Sequence, residues 1–271
     1  MVSYDKKPKI KIIAQSKELG VVPSFNTIAE IKGVEKPNEY VVLSAHFDSW
    51  DGGQGATDNG TGTLTMMEAM RILKASGLKP KRTIRIGLWS GEEQGLLGSS
   101  AYVEKHFAEL PPPADPKLKD LPRSLQEAPL PPVYKADYKR ISAYYNYDNG
   151  GGRIRGIYLQ GNETLRGVFR EWLKPLRDLG AETVTLSRTG STDHVSFDNI
   201  GLPGFQFIQD EIEYDTRTHH TNMDTYDHLV PGDLMQAATI VASFVYNTAT
   251  REEKIPRKTL PKPRGTGTRG F

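Results

Sequence analysis

An alternation of apolar strand patterns, polar loops and amphipathic helices constrains the fold of this 271-residue chain most strongly. An apolar run over 40–45 is followed by a Gly-rich loop and a helical pattern that ends near Gly77. The same order repeats from 83–89 to a helix over about 96–107. Because strand, helix and strand in this order favour parallel pairing, we expect an α/β fold.

The remaining pattern extends this arrangement. Residues 26–31 alternate as a strand does, and further strands are expected over 141–147, 156–160, 183–187 and 204–208. Helices are expected over about 162–179 and 233–247. The fold class that we predict is a three-layer α/β/α sandwich around a mostly parallel mixed sheet. Such sheets place their ligands at the carboxyl ends of the strands.

The composition excludes several classes of function. The chain is long enough for one domain with its own core, and no stretch approaches the roughly 20 continuous apolar residues of a membrane-spanning helix. It contains no cysteine, which excludes disulfides, thiol catalysis and thiolate-bound zinc. Any metal must therefore be held by His, Asp and Glu.

The charge distribution argues against a nucleic-acid partner. The net charge is +2, but the first 11 and last 21 residues carry an excess of lysine and arginine. Residues 12–250 hold 24 basic and 30 acidic side chains, so the body is acidic. A nucleic-acid binder would place its positive charge on the folded body.

Candidate metal ligands cluster just after the predicted strands. The clusters are His46-Phe47-Asp48, Thr57-Asp58-Asn59-Gly60, Glu92-Glu93 and Asp148, with His219-His220 in a later polar loop. Imidazole and carboxylate ligands suit zinc, and also manganese or cobalt. Two adjacent metals would need one bridging carboxylate, with about one His and one acid more for each.

The order of these motifs resembles a known family. The motifs are HFDSW (46–50), GATDNGTG (55–62), WSGEEQGLLGS (89–99), NYD (146–148), STDHVSF (191–197) and HHTNMDT (219–225). Over about residues 25–248 they are similar to the co-catalytic di-zinc exopeptidases of the bacterial leucine aminopeptidase and glutamate carboxypeptidase type. Within that family the motif sequences are most similar to those of the plasma glutamate carboxypeptidases. The resemblance implies a zinc-peptidase version of the sandwich, of the phosphorylase/hydrolase-like type.

The resemblance also implies roles for individual residues. Asp58 corresponds to the bridging carboxylate between two Zn²⁺ ions. The remaining ligands would be His46 and Asp148 for one ion, and Glu93 and His220 for the other. Glu92 would be the general base, and Asp48 would orient the His46 imidazole. The peptide after the bridging Asp is often cis in this family, so Asp58–Asn59 is a candidate for that geometry.

Other assignments stay open. His220 fits the spacing to Asp224 better than His219 does, so His219 is expected to line the substrate pocket or bind the oxyanion. Asp193 or His194 would contact a substrate terminus, although residues 191–193 could equally cap a helix. Asp148 could instead initiate a turn. Trp50 is expected in the core.

The resemblance implies a domain division. Residues 1–24 are expected to be a lead-in left from an upstream region, 25–250 the catalytic domain and 251–271 a basic flexible tail. Residues 111–132 hold eight of the 18 prolines and are expected to form a loop of the catalytic domain. No signal-peptide pattern opens the chain, but relatives of this type carry a leader, so we expect a truncated portion of an exported protein, periplasmic or extracellular.

The implied function is a zinc-dependent exopeptidase that cleaves peptides at chain ends or splits dipeptides, as an aminopeptidase or dipeptidase rather than a carboxypeptidase. A single-zinc glutaminyl cyclase and a non-catalytic, receptor-like relative are the alternatives. Neither the side-chain preference nor the oligomeric state follows from the motifs, and a homodimer is one option.

Overall fold

The structure, a computed structural model, describes residues 9–113, 115–121 and 132–259. In this part of the chain the strands are β1 Thr27–Ile31, β2 Lys36–His46, β3 Arg82–Trp89, β4 Ala108–Glu109, β5 Val133–Tyr134, β6 Ile141–Asn146, β7 Ile154–Tyr158, β8 Thr183–Thr185 and β9 Gly204–Gln209. The α-helices are α1 Thr61–Ala75, α2 Leu97–His106, α3 Arg166–Leu173, α4 His194–Asp198 and α5 Pro231–Thr250.

Seven of the described strands form one sheet, in the order β1-β3-β2-β6-β9-β7-β8. Its centre is parallel, because β2 pairs in parallel with both β3 and β6, and β6 pairs in parallel with β9. Strand β1 runs antiparallel to β3, and β7 runs antiparallel to β9. The predicted mostly parallel mixed sheet is confirmed. The carboxyl ends of β3, β2 and β6 therefore lie side by side at one edge.

Helices cover both faces of this sheet. Alternate residues of β2 point to opposite faces, so that Val41 and Leu43 join one apolar cluster and Val42 joins the other. The first cluster packs against α1, α3 and α5, and the second against α2 and α4. This arrangement confirms the three-layer sandwich. It also explains why β2 reads as a continuous apolar run, since both of its faces are buried.

The helices differ from the predicted ones in detail. The helix expected over 162–179 is α3 flanked by two 3₁₀ segments, Glu163–Leu165 and Lys174–Leu179. Pro175 is the second residue of the second segment and has no N–H to continue the α-helical ladder. Among the described helices, none combines the length and the apolar character that crossing a bilayer would require.

The segment after α5 packs on the body as far as the structure describes it. Arg82 donates hydrogen bonds to the carbonyl oxygens of Arg251 at 2.5 Å and Glu252 at 2.8 Å. Ile255 is buried, and its N–H donates to Ser142 Oγ at 3.1 Å. Residues 251–259 are thus held against the sheet, whereas the rest of the expected tail and half of loop 111–132 lie outside the described residues. The domain division stays a prediction.

Candidate metal centre

The predicted ligands come together at the carboxyl edge of the sheet. His46 is the last residue of β2, Asp148 follows β6 by two residues, and Glu92 and Glu93 follow β3. Asp58 lies in the irregular turn that leads into α1. The loop after β9 brings His220 to the same place. Five separate segments therefore supply one cluster, as the parallel topology requires.

One part of the cluster is a buried triad of His46, Asp58 and Asp148. Nε2 of His46 lies 3.3 Å from Oδ1 of Asp58 and 3.4 Å from Oδ1 of Asp148. One ligand atom from each of the three lies within 4.8 Å of the others. Asp148 does more than initiate a turn, because its carboxylate faces His46.

The other part of the cluster forms around the second oxygen of Asp58. Nε2 of His220 lies 3.4 Å from Oδ2 of Asp58 and 3.0 Å from Oε2 of Glu93. His219 is more distant, with its Nε2 at 3.9 Å from the same Asp58 oxygen. Asp58 thus directs one carboxylate oxygen toward each part of the cluster, the arrangement that a bridging ligand needs.

Several buried polar atoms of this cluster have no hydrogen-bond partner. They are Nε2 of His46, Oδ2 of Asp58 and Oε1 of Glu93. A buried polar atom without a partner is costly unless a ligand satisfies it. All three are atoms that bind divalent cations of the zinc type. The residues present are compatible with metal binding on this ground.

Surrounding carboxylates hold the candidate ligands in position. Nδ1 of His46 faces the backbone carbonyl oxygen of Asp48 at 3.0 Å, and the Asp48 carboxylate at 3.6 Å. That carboxylate accepts hydrogen bonds from the backbone N–H groups of Glu92 at 3.2 Å and Glu93 at 3.3 Å. Burial would raise the pKa of Asp48, but His46 and these two N–H groups hold it below its usual value. Asp48 therefore links two of the ligand-bearing loops.

Asp224 likewise positions the turn that carries Asp58. In the sequence analysis Asp224 served only to fix the spacing from His220. Its carboxylate accepts hydrogen bonds from the N–H groups of Thr57 at 2.6 Å and Asp58 at 3.0 Å. The peptide bond between Asp58 and Asn59 is cis, as expected. Gly62 is required nearby, because a Cβ there would lie 2.2 Å from Oδ1 of Asn59.

Burial and mutual repulsion dominate the electrostatics of the acids. Burial, followed by the charge of Asp148, raises the pKa of Glu92 to about 10. Burial and the charge of Asp58 raise the pKa of Glu93 to about 7. Burial would lower the pKa of His46, but Asp148 and the other acids hold it well above its usual value. The cluster therefore has an excess of carboxylates over cations, which added positive charge would relieve.

Two residues expected at the substrate pocket are not exposed there. Asp193 and His194 are fully buried, and their contact with a substrate terminus stays a prediction. His194 Nε2 contacts the side chain of Gln160 and lies 3.1 Å from the carbonyl oxygen of Thr189. Asp193 precedes α4 without forming a side-chain cap, and neither of its carboxylate oxygens has a hydrogen-bond partner.

The sequence analysis did not place two aromatic residues, Trp50 and Tyr214, at the cluster. Trp50, expected in the core, is 47% exposed, and its ring lies 5.6 Å from that of His220. Tyr214 is buried and stacks on His219 with ring centroids 4.6 Å apart. Burial and the nearby charges of Asp148 and Asp58 raise the pKa of Tyr214. Trp50 follows the HFDS motif directly, which could have placed it at the site, whereas nothing in the sequence singled out Tyr214.

The chain is similar in sequence to known peptidases. Residues 26–245 match the model of peptidase family M28. Carboxypeptidase Q of Rattus norvegicus is 33% identical over 257 residues, which cover 95% of this chain and 48% of that protein. The chain thus spans about half the length of the curated relatives that it matches.

Solved structures show the same fold. A peptidase M28 precursor from Shewanella amazonensis superposes with a TM-score of 0.70 at 30% identity, covering 88% of this chain and 47% of that one. A zinc aminopeptidase from Bacillus subtilis gives a TM-score of 0.61 at 28% identity, with coverages of 84% and 51%. Both similarities extend over most of the described chain.

Proposed function

Because this chain belongs to peptidase family M28, we propose that it is a two-zinc exopeptidase whose metals share Asp58. The observation that carries the proposal is the position of the Asp58 carboxylate between two histidines. Its Oδ1 lies 3.3 Å from Nε2 of His46, and its Oδ2 lies 3.4 Å from Nε2 of His220. His46 and Asp148 complete the first metal site, and Glu93 and His220 complete the second. The zinc aminopeptidase among the similar structures favours zinc over manganese or cobalt.

With metal bound, the cluster would activate both the peptide carbonyl and the attacking water. Two divalent cations held by these residues would polarise the scissile carbonyl and lower the pKa of a water molecule between them. Glu92 lies beside the cluster, with its Oε2 4.0 Å from Nε2 of His46. Positive charge there favours the ionised form of Glu92, which a general base requires. Glu92 accepts a proton from the water and donates it to the leaving amine.

Other residues position these groups. Asp48 holds the His46 imidazole and the loop of Glu92 and Glu93, so it acts through them rather than on the substrate. His219 is 40% exposed in its side chain and lies on the open side of the cluster, where it can donate a hydrogen bond to the oxyanion of the tetrahedral intermediate. The Tyr214 ring stacked beneath it limits the orientations of its imidazole.

The substrates that we propose are short peptides and dipeptides with a free N-terminus. The names of the relatives include both a carboxypeptidase and an aminopeptidase, so the family alone leaves the cleaved end open. An exported location follows only from the family resemblance and stays a prediction.

Zinc analysis of the purified protein by mass spectrometry tests the proposal. Two zinc ions per chain are expected, with His46→Ala and His220→Ala each retaining about one. A single ion in the unmodified chain would support a cyclase instead, and none would support a non-catalytic relative. Either result would overturn the two-zinc assignment.

A further inference from the structure

A cavity of about 300 Å³ opens beside the metal centre. Its lining includes Asn149, Tyr158, Gln209, Glu211, Tyr214 and Asp215. The volume lies at the lower end of the range for small-ligand pockets, about 300–1,000 Å³.

Two contacts connect the cavity to the candidate ligands. The N–H of Asn149 donates to Oδ1 of Asp148 at 2.8 Å. The ring of Tyr214 stacks on His219, on the other side of the cluster. A peptide whose scissile carbonyl lies at the metal centre can therefore extend the side chain of its terminal residue into this space.

The charge of the cavity is negative. Glu211 and Asp215 are exposed at its lining, and neither side chain takes part in a described hydrogen bond or ion pair. Among the described residues that line it, none is a lysine or an arginine. On the flanking segments, Arg155 pairs with Asp210 at 2.6 Å and Arg217 with Glu213 at 3.1 Å. Arg188, next to the lining residue Thr189, is exposed.

The rest of the lining suits a long side chain. Tyr158 and Tyr214 present aromatic surface against which an aliphatic stem can pack, and Asn149 and Gln209 add amide groups. Lysine and arginine combine such a stem with a cationic end. We propose that this cavity binds a cationic side chain, so that peptides with N-terminal lysine or arginine are the preferred substrates. This inference rests on the proposed function, which places the scissile bond beside the cavity.

The test compares lysine with norleucine, which has an uncharged chain of similar length. With zinc-loaded protein, kcat/KM is measured for the lysyl, arginyl, norleucyl and glutamyl p-nitroanilides. The lysyl and arginyl substrates should exceed the norleucyl one, and the glutamyl one should be poorest. In the double variant Glu211→Gln/Asp215→Asn the lysyl-to-norleucyl ratio should fall roughly three- to tenfold, as expected for two partly exposed ion pairs.

Glu213→Gln is the matched control. It removes one negative charge from the same loop, but its carboxylate is bonded to Arg217 and His228. The lysyl-to-norleucyl ratio should keep its original value in this variant. A fall equal to that of the double variant would show a general charge effect and overturn the assignment to the cavity.

A binding measurement separates this inference from the proposed function. Calorimetric titration of the zinc-loaded protein with free L-lysine and L-norleucine requires no turnover. Tighter binding of lysine, lost in the double variant, would support a cation-binding cavity even if no substrate were cleaved. That outcome would defeat only the exopeptidase. Cleavage of norleucyl and lysyl substrates at equal rates, with equal binding of the two amino acids, would overturn the cavity and leave the exopeptidase standing.

Discussion

The carboxylate of Asp224 accepts a 3.0 Å hydrogen bond from the backbone N–H of Asp58, 166 positions earlier in the chain. Its other oxygen accepts from the N–H of Thr57. An ionised carboxylate can accept both bonds, whereas an asparagine amide has one accepting oxygen and an NH₂ that would face a donor. This pair of bonds fixes the backbone from which the proposed bridging ligand projects.

Asp224→Asn should therefore weaken zinc affinity. Groups that orient metal ligands typically contribute 10–100-fold to affinity, and we expect a loss of that order. A competition titration against a chromophoric chelator measures it. Asp227→Asn, at an exposed acid bonded to Thr225, is the control and should bind zinc as the original chain does. Equal affinities in the two variants would contradict the positioning role.

Glu92→Gln should abolish most of the activity while zinc is retained. Glutamine cannot move a proton, and general base catalysis contributes about 10²–10⁴-fold. The measurements are kcat with a dipeptide substrate and the zinc content of the same sample. Glu93→Gln is the informative neighbour, because it should lose zinc as well as activity. If Glu92→Gln cleaved peptides at the original rate with both ions bound, the general base would have to be another residue.

His194 should make folding stability depend on pH. Burial lowers its pKa to about 4 from the usual 6.5. The unfolded chain therefore takes up a proton below about pH 6.5 that the folded chain refuses until about pH 4. Stability from this group is present above pH 6.5 and falls as the pH drops to 4, by about 3 kcal/mol at most.

Denaturant unfolding of the original chain and of His194→Gln across pH 4–8 checks this dependence. Because both proteins share the same acids and metal site, only the difference between their unfolding free energies reports His194. That difference should shrink as the pH falls from 6.5 to 4. Parallel curves would mean that the imidazole is not held neutral in the folded state.

Arg82→Ala should destabilise the fold and release the C-terminal segment. The guanidinium is buried, donates to Glu39 at 2.7 Å and holds the carbonyl oxygens of Arg251 and Glu252. Removing one member of a buried ionic group costs about 3–5 kcal/mol, and the partial exposure of Glu39 places the expected loss near 3 kcal/mol. Limited proteolysis should then cut after residue 250 more readily.

Arg71→Ala is the control for that experiment. Arg71 pairs with Glu68 on the exposed face of α1, where such a pair contributes little. Its unfolding free energy should change by no more than about 0.5 kcal/mol. Equal losses in the two variants would remove the special role of Arg82.

The sequence predicted the part of the site that local motifs encode. The first of these residues, His46, ends a strand, and the others, Asp58, Glu92, Glu93 and Asp148, follow a strand or a Gly-rich turn. Parallel topology brings such positions together without knowledge of side-chain contacts. Their convergence was therefore foreseeable. The same reasoning recovered the central strands and the helices on both faces of the sheet.

The remainder depends on contacts between distant segments. Burial of Asp193 and His194 follows from the packing of α4 against the sheet, which the STDHVSF motif does not specify. The position of Tyr214 against His219 and of Asp224 against Asp58 depends on the path of a long irregular loop. The antiparallel direction of β1 likewise depends on how the chain enters the sheet, and alternation within residues 26–31 is the same for either direction.

The distribution of the candidate ligands along the chain has a consequence for folding. His46 ends an early strand, and His220 follows the last strand of the sheet. A cation shared through Asp58 would join segments that lie far apart in the chain. Because the unfolded chain offers no preformed site, the binding free energy of that cation would add to the folding free energy. In a chain without cysteine, bound zinc would act as a reversible cross-link, and the free zinc concentration would set how much it stabilises the fold.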